Sequence, residues 1–191
     1  MKIIIIQGMT CLGKSTLCKQ LGEDLLKSRC FSLDTYKESL WDKFGFYSLE
    51  ERKNLSALAK ELFCKDINKA IKSFSYNYIL IEYVFTEKYW EEFWGNVDIH
   101  GADVKTIYLK PIDFCEHEKA WESRSRNFSV RHPGHGATYY HDGVGGGYTN
   151  KYDGKVFTSL PTVGETLEVD ITFNPYTRSV QYESILDFIK G

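Results

Sequence analysis

The fold of this chain is decided by Gly8-Met9-Thr10-Cys11-Leu12-Gly13-Lys14-Ser15, a stretch that matches the phosphate-binding loop pattern G-x-x-x-x-G-K-[ST]. An apolar, β-branched run at residues 3–6 precedes it, which is typical of a buried parallel strand. The segment after it carries Leu17, Leu21 and Leu25 on one helical face. Strand, glycine loop and helix in this order predict a genuine phosphate-binding loop, or P-loop.

The residue types in this loop suit the triphosphate of a nucleotide. Glycines allow the backbone to turn so that successive N–H groups point at phosphate oxygens, and the following helix N-terminus adds partial positive charge. Lys14 can reach the β- and γ-phosphates, and the hydroxyl of Ser15 can ligate Mg²⁺. The residues predicted to bind ATP are Gly8, Met9, Thr10, Cys11, Leu12, Gly13, Lys14, Ser15 and Thr16.

The whole chain reads as one domain over residues 1–191, with a net charge of −2. Acidic and basic residues alternate, which argues mildly against a nucleic-acid partner while leaving a local basic patch open. No apolar run has the length of a signal peptide or a membrane span, so we expect no membrane partner. The five cysteines form no C-x-x-C pair, which favours a reducing cytoplasm. A homo-oligomer stays open.

Helical and strand-like segments alternate along the chain. A capping box, Ser48 to Glu51, opens a long helix that runs to Phe74. Further helices are predicted at residues 86–94, 112–127 and up to Lys190, and strands at residues 31–33, 78–81, 104–109 and 167–173. This alternation predicts an α/β fold with a parallel five-stranded sheet and helices on both faces.

Residues 128–164 break this alternation. The segment holds eight of the fifteen glycines and three of the five histidines, with little apolar periodicity. Loops of this length inside a domain are usually lids, binding loops or disordered segments, so we predict a mobile lid. Histidines at 132, 135 and 141 match no strong zinc spacing, which favours substrate-contacting or solvated histidines over a metal site.

Two acidic residues follow predicted strands and lie at the edge where ligands of such sheets bind. Glu82 is expected to hold Mg²⁺ with Ser15; the alternative is a residue that merely ends a strand. Asp34 is the candidate general base, a carboxylate that accepts the proton of an attacking hydroxyl. The alternative for Asp34 is a helix N-cap.

Three arginines surround the start of the lid. Arg124, Arg126 and Arg131 are candidates for clamping the transferred phosphate; the alternative is a solvated helix end, where cations complement the helix dipole. The aromatic residues at 41–47 offer flat surface for the phosphate acceptor, although core packing explains any one of them equally well.

With these residues placed, the chain resembles the small P-loop kinases that include chloramphenicol phosphotransferase, zeta toxins and polynucleotide kinase. The P-loop is the generic part of the resemblance. Residues 31–35 (F-S-L-D-T) resemble the family's strand with the aspartate base, residues 131–137 (R-H-P-G-H-G-A) its lid, and residues 166–170 its final strand. The resemblance implies a P-loop kinase-like fold with a glycine-rich lid insert, and use of ATP and Mg²⁺. Residues 141–153 depart from the family as an apparent insertion.

The favoured function is therefore an ATP- and Mg²⁺-dependent kinase that phosphorylates a hydroxyl of a small molecule, such as a nucleoside or nucleotide, a sugar derivative or an antibiotic. A polynucleotide 5′-hydroxyl kinase or a nucleotide kinase is the alternative within enzymes. A regulatory ATPase or GTPase is the alternative of another class. The letters N-K-x-D of guanine-reading proteins occur at residues 150–153, but in a glycine-rich loop rather than after a strand.

Overall fold

Five parallel strands form the central sheet, and two short strands form a separate antiparallel hairpin. The computed structural model describes residues 1–99, 101–125, 127–129, 131–148, 161–171 and 177–191. The strands are β1 (Lys2–Gly8), β2 (Ser28–Ser32), β3 (Tyr78–Glu82), β4 (Asp103–Pro111), β5 (Tyr139–His141), β6 (Val144–Gly146) and β7 (Glu165–Ile171). The helices are α1 (Lys14–Asp24), α2 (Leu33–Phe44), α3 (Leu49–Ser73), α4 (Glu87–Asn96), α5 (Phe114–Ser125) and α6 (Thr177–Lys190).

The order of strands in the sheet is β2-β3-β1-β4-β7, which puts β1 at the centre. Its residues 3–6 are fully buried, as expected for a strand covered on both faces. Ile6 and Ser32 both lie beside Glu82 in the strand register, so the end of β1 and the carboxyl ends of β2 and β3 meet at one edge. The predicted parallel five-stranded sheet is confirmed, and this edge is where a ligand site is expected.

Alternating residues of β1 serve two separate apolar clusters, one on each face of the sheet. Ile3 and Ile5 pack with residues of α3 and α4, including Phe63. Ile4 and Ile6 pack with residues of α1 and α6. Helices therefore cover both faces, as the sequence predicted. No helix within the described ranges combines the length and the apolar character needed to cross a membrane.

The capping box predicted for α3 and the strand predicted at residues 31–33 have different outcomes. At α3 the capping box is confirmed, because the backbone N–H of Glu51 donates to Ser48 Oγ at 3.2 Å. At α2 the strand predicted at residues 31–33 extends one residue too far and begins three residues too late. The strand ends at Ser32, which takes the N-cap position, and the helix begins with Leu33, whose side chain is buried in the core. Asp34 is therefore a residue of the first helical turn and not an N-cap.

A buried glutamine ties the central strand to two distant segments. The side-chain amide of Gln7 donates to the carbonyl oxygens of Phe85, at 2.9 Å, and Pro161, at 3.2 Å. Its side-chain oxygen accepts from the backbone N–H groups of Gly8, at 3.1 Å, and Phe85, at 3.0 Å. This fully buried side chain thus fixes Gly8, which opens the P-loop, and Pro161, near the C-terminal end of the predicted lid of residues 128–164.

Residues 131–148 of the predicted lid, called the insert below, are folded onto the end of α2. Phe46 and Tyr140 exchange two backbone hydrogen bonds of 2.7 Å each, so the hairpin of β5 and β6 pairs with the segment that follows α2. Trp41, Phe46, Ala137 and Tyr140 form a small apolar cluster of their own. Residues 149–160 lie outside the described part, and the mobility of the lid stays a prediction.

Candidate active site

The P-loop has the backbone geometry that its glycines allow. Gly8 and Gly13 have φ angles of 147° and 83°, and Cys11 adopts a left-handed φ of 68°, which is uncommon for a residue with a side chain. A Cβ on Gly8 would lie 2.6 Å from the carbonyl oxygen of Leu109, so only glycine fits there. A Cβ on Gly13 would meet nothing within 4 Å, so the loop is open on that side.

Lys14 is held inside this loop. Its Nζ donates to the carbonyl oxygen of Met9 at 2.7 Å, and the side chain is buried. Burial lowers the pKa of Lys14, while the carboxylates of Glu82 and Asp34 oppose that effect. An ammonium group has three donors, so two remain for phosphate oxygens. An anion at this site would compensate the buried charge, which fits the predicted contact with a triphosphate.

Ser15, Ser32 and Glu82 come together as an oxygen cluster beside the loop. The hydroxyl of Ser15 donates to Glu82 Oε1 at 3.0 Å and Oε2 at 3.2 Å. The hydroxyl of Ser32 donates to Glu82 Oε1 at 2.6 Å, and Glu82 is buried. A hydroxyl and a carboxylate suit Mg²⁺, which prefers oxygen ligands and usually adds water and substrate phosphates to one or two protein groups.

Asp34 faces the same cavity as this cluster. The cavity has a volume of about 570 Å³, and its lining includes Ser15, Glu82, Asp34 and Arg124. The sequence placed these groups at one edge of the sheet, and the structure brings them to one cavity. The candidate base and the candidate Mg²⁺ ligands therefore share a space large enough for reacting groups.

A lysine that the sequence analysis did not single out controls the charge of Asp34. Lys37 Nζ lies 3.2 Å from Asp34 Oδ1 and donates to the hydroxyl of Tyr83 at 3.3 Å. Partial burial pushes the pKa of Asp34 up, but Lys37, His135 and Lys14 outweigh it, so the pKa is lowered. Asp34 consequently stays ionised and can accept a hydrogen bond from a hydroxyl at neutral pH.

Two of the three candidate arginines are brought together. Arg124 Nη1 lies 3.9 Å from Cys11 Sγ, against the P-loop, and Arg131 donates to the hydroxyl of Ser125 at 3.1 Å. Burial, followed by the nearby charge of Arg124, lowers the pKa of Arg131. Arg126 lies outside the described residues. The phosphate-clamping role of all three stays a prediction.

His117 of α5 is a second residue near the site that was not predicted from the sequence. Its Nε2 lies 2.7 Å from the carbonyl oxygen of Thr10, and the side chain is fully buried. It therefore connects α5 to the backbone of the P-loop. A single histidine inside a helix has no spacing signal, so nothing in the sequence marked it.

The expected acceptor surface at residues 41–47 is only partly available. Trp41 and Phe46 are each about 1% exposed beneath the hairpin, so they form core packing rather than a ligand surface. The insert histidines hold this contact: His132 pairs with Asp42 at 2.9 Å, and His135 pairs with Glu38 at 2.7 Å. The described residues contain no group of three or more His, Cys, Asp or Glu side chains arranged around a metal.

Comparison with known proteins supports the fold but does not identify the reaction. No protein-family model matches the chain, and no curated protein matches it. A solved structure from Chloroflexus aurantiacus J-10-fl, named "putative kinase", is 20% identical, with 99% of this chain and 96% of that chain covered and a TM-score of 0.73. A sugar kinase from Janibacter sp. HTCC2649 is 10% identical over 96% and 95% of the two chains. Its TM-score of 0.49 is too low to carry an argument.

The first of these likenesses extends over nearly the whole of both chains, so the α/β fold described above is shared with that protein. At this identity the likeness defines an architecture and not a reaction. The resemblance to the chloramphenicol phosphotransferase type accordingly stays a prediction.

Proposed function

We propose that this protein is an ATP- and Mg²⁺-dependent phosphotransferase that moves the γ-phosphoryl group of ATP to a hydroxyl of a small molecule. One observation carries the proposal: Ser15, Glu82, Asp34 and Arg124 line a single cavity beside the P-loop. Phosphoryl transfer needs little covalent chemistry from a protein, but it needs these groups positioned around the reacting phosphate.

The nucleotide side of the site is a second cavity, of about 530 Å³, between the P-loop and α5. Lys14, Thr16, Ser123 and Arg124 are among its lining residues. The triphosphate would lie along the P-loop N–H groups, with Lys14 at the β- and γ-phosphates. Ser15 and Glu82 would hold Mg²⁺, which supplies positive charge at these phosphates.

In the proposed transfer, the acceptor hydroxyl oxygen forms a bond to the γ-phosphorus while the bond from that phosphorus to the bridging oxygen breaks, and ADP leaves. The hydroxyl proton passes to the carboxylate of Asp34. A carboxylate with a lowered pKa is a weak base, so Asp34 would mainly orient the hydroxyl and take its proton late in the transfer. Arg124 and Arg131 would stabilise charge on the transferred phosphoryl oxygens.

The test is ADP release from ATP and Mg²⁺ in the presence of a panel of nucleosides, sugars, antibiotics and 5′-hydroxyl oligonucleotides. The proposal expects acceptor-dependent ADP release from the wild type and none from Lys14→Ala, and mass spectrometry should find a phosphorylated small molecule. Phosphate transfer only to oligonucleotides would favour the polynucleotide kinase alternative. ADP release that no acceptor increases would mean an ATPase and would overturn the proposal.

A further inference from the structure

A groove between α3 and α4 has a volume of about 800 Å³, larger than the two cavities beside the P-loop. This volume is in the range of small-molecule sites. Two contacts connect the two helices, and a third connects α3 to the chain just after α4. Lys60 pairs with Glu92 at 2.7 Å, the amide of Asn68 donates to the carbonyl oxygen of Asn96 at 2.7 Å, and Asn68 Oδ1 accepts from the N–H of Asp98 at 2.9 Å. The groove is therefore a built feature rather than a loose surface.

Five aromatic residues, at positions 63, 83, 85, 89 and 93, line this groove and contact one another. Tyr83 contacts Phe85 with ring centroids 5.2 Å apart, Phe85 contacts Phe93 at 4.9 Å, and Phe93 contacts Phe63 at 6.1 Å. Tyr89 of α4 lies on the same side, with its ring 6.3 Å from that of Tyr83. Phe63, Phe85 and Phe93 are almost fully buried and belong to the core, so the half-buried rings of Tyr83 and Tyr89 are the ones that can contact a flat apolar ligand.

One end of the groove reaches the proposed base. Tyr83 lines the groove, and its hydroxyl accepts a hydrogen bond of 3.3 Å from Lys37, which lies 3.2 Å from Asp34. Lys37 Nζ also lies 4.8 Å from the centre of the Tyr83 ring. Only these two hydrogen bonds separate the groove from Asp34. A ring-sized molecule in the groove could therefore present a hydroxyl to Asp34 past Tyr83.

The cavity at the phosphate end cannot hold such a ring by itself. Its lining consists of glycine and of hydroxyl, thiol, carboxylate, lysine and arginine side chains, without an aliphatic or aromatic residue. The rings of Trp41 and Phe46 are buried beneath the hairpin. Apolar surface within reach of Asp34 is thus offered by the groove at Tyr83.

The rim of the groove adds a charge preference. Four lysines and two glutamates line it, and one lysine–glutamate pair is the Lys60–Glu92 contact. Exposed lysines at positions 65, 69 and 72 follow one another along α3 at helical spacing. The excess of positive charge favours a ligand with a negative group at the end away from Tyr83.

The geometry points to the α3–α4 groove as the acceptor pocket, and to an acceptor with a flat apolar ring, a hydroxyl directed at Asp34 and an anionic group on the lysine side. This inference rests on the proposed function. It gives that function a substrate class and a pocket that the sequence did not indicate.

The test fills the groove from one of its own walls. Cys64 is a half-buried residue of α3 that lines the groove, so Cys64→Trp places an indole inside it. The matched control is Cys115→Trp, at an exposed cysteine of α5 that lines none of the cavities described above. Tyr89→Ser removes one ring without adding bulk, and it serves if Cys64→Trp does not fold.

Binding is measured first with 1-anilinonaphthalene-8-sulfonate, an anion with a flat naphthalene ring, by fluorescence titration of folded protein. We expect saturable binding in the wild type and in Cys115→Trp, and its loss in Cys64→Trp. Kinetics follow with aromatic alcohols that carry an acidic group. The acceptor KM should rise at least about tenfold in Cys64→Trp and about threefold to tenfold in Tyr89→Ser, with an unchanged KM for ATP.

Three results separate this inference from the proposed function. Normal acceptor KM in both groove variants, with active wild-type enzyme, would overturn the pocket and leave the kinase intact. Equal binding of the fluorescent anion to wild type and Cys64→Trp would also overturn it. Failure of the wild type to transfer phosphate to any hydroxyl would overturn the proposed function, and the acceptor pocket would fall with it.

Discussion

Replacing Asp34 with asparagine is the sharpest test of the proposed chemistry. The change keeps the shape of the side chain and its position in the first turn of α2, but it removes the negative charge and the ability to take a proton. Loss of a general base typically lowers the rate by about 10²–10⁴-fold. Each factor of ten corresponds to about 1.36 kcal/mol of transition-state stabilisation, so this range spans about 2.7–5.4 kcal/mol.

The structure places Asp34 in the lower half of this range. Lys37 and His135 lower the pKa of Asp34 despite its partial burial, so this carboxylate is a weaker base than an ordinary aspartate. Catalysis by a base follows its basicity, and we therefore expect a loss of about 10²–10³-fold in kcat. Folding should survive, because an ion pair with a half-exposed carboxylate contributes only about 0–1 kcal/mol and Lys37 keeps its hydrogen bond to Tyr83.

The assay is single-turnover ADP formation at saturating acceptor, with ATP affinity measured separately by calorimetry. Asp66→Asn is the matched control, since Asp66 Oδ2 accepts from the hydroxyl of Tyr36 at 3.0 Å and lies outside the three cavities described above. We expect Asp66→Asn to turn over normally and Asp34→Asn to bind ATP normally. The reasoning is refuted if Asp34→Asn retains more than about a third of the wild-type rate, or if its rate falls only because ATP binds poorly.

Three further predictions concern the phosphate loop, the pH profile and the insert. Lys14→Ala should lose phosphoryl transfer without a lower melting temperature, since it removes a buried charge; wild-type turnover would contradict the P-loop assignment. On the acid side of the pH profile, kcat/KM should fall as the Asp34 carboxylate takes up a proton. Lys37→Met should move this fall to higher pH, because removal of the cation raises the pKa of Asp34. An unchanged profile argues against Lys37 as the neighbour that sets this pKa. Amide hydrogen exchange at residues 131–148 should slow when ATP and acceptor are both bound, while equal exchange with and without them would leave the insert a fixed element.

The central part of the fold could be predicted because its signals are local. The apolar run of β1, the glycine loop and the capping box of Ser48 each carry their structure within a few residues. The end of β2 was misplaced because the apolar side chain of Leu33 suits a strand as well as a helix. With the helix beginning at Leu33, Lys37 lies one turn beyond Asp34, and this spacing predicts the ion pair between them.

The acceptor side could not be predicted in the same way. Whether Trp41 and Phe46 face a ligand or the core depends on a hairpin about a hundred residues later in the chain, and no periodicity in residues 41–47 contains that information. The groove between α3 and α4 depends on how far apart two helices pack. Both features arise from tertiary contacts, which a pattern within one segment does not encode.

Gln7 fixes the position at which the chain returns to the sheet after the insert, at Pro161. Its amide holds the carbonyl of Pro161 on the central strand, next to the first glycine of the P-loop, while Arg131 at the other end is bonded to Ser125 of α5. A segment anchored at both ends has already lost much of its chain entropy. Ordering it around a substrate would therefore cost less binding energy than ordering a segment tethered at one end, and more of the substrate's affinity would remain for discrimination between acceptors.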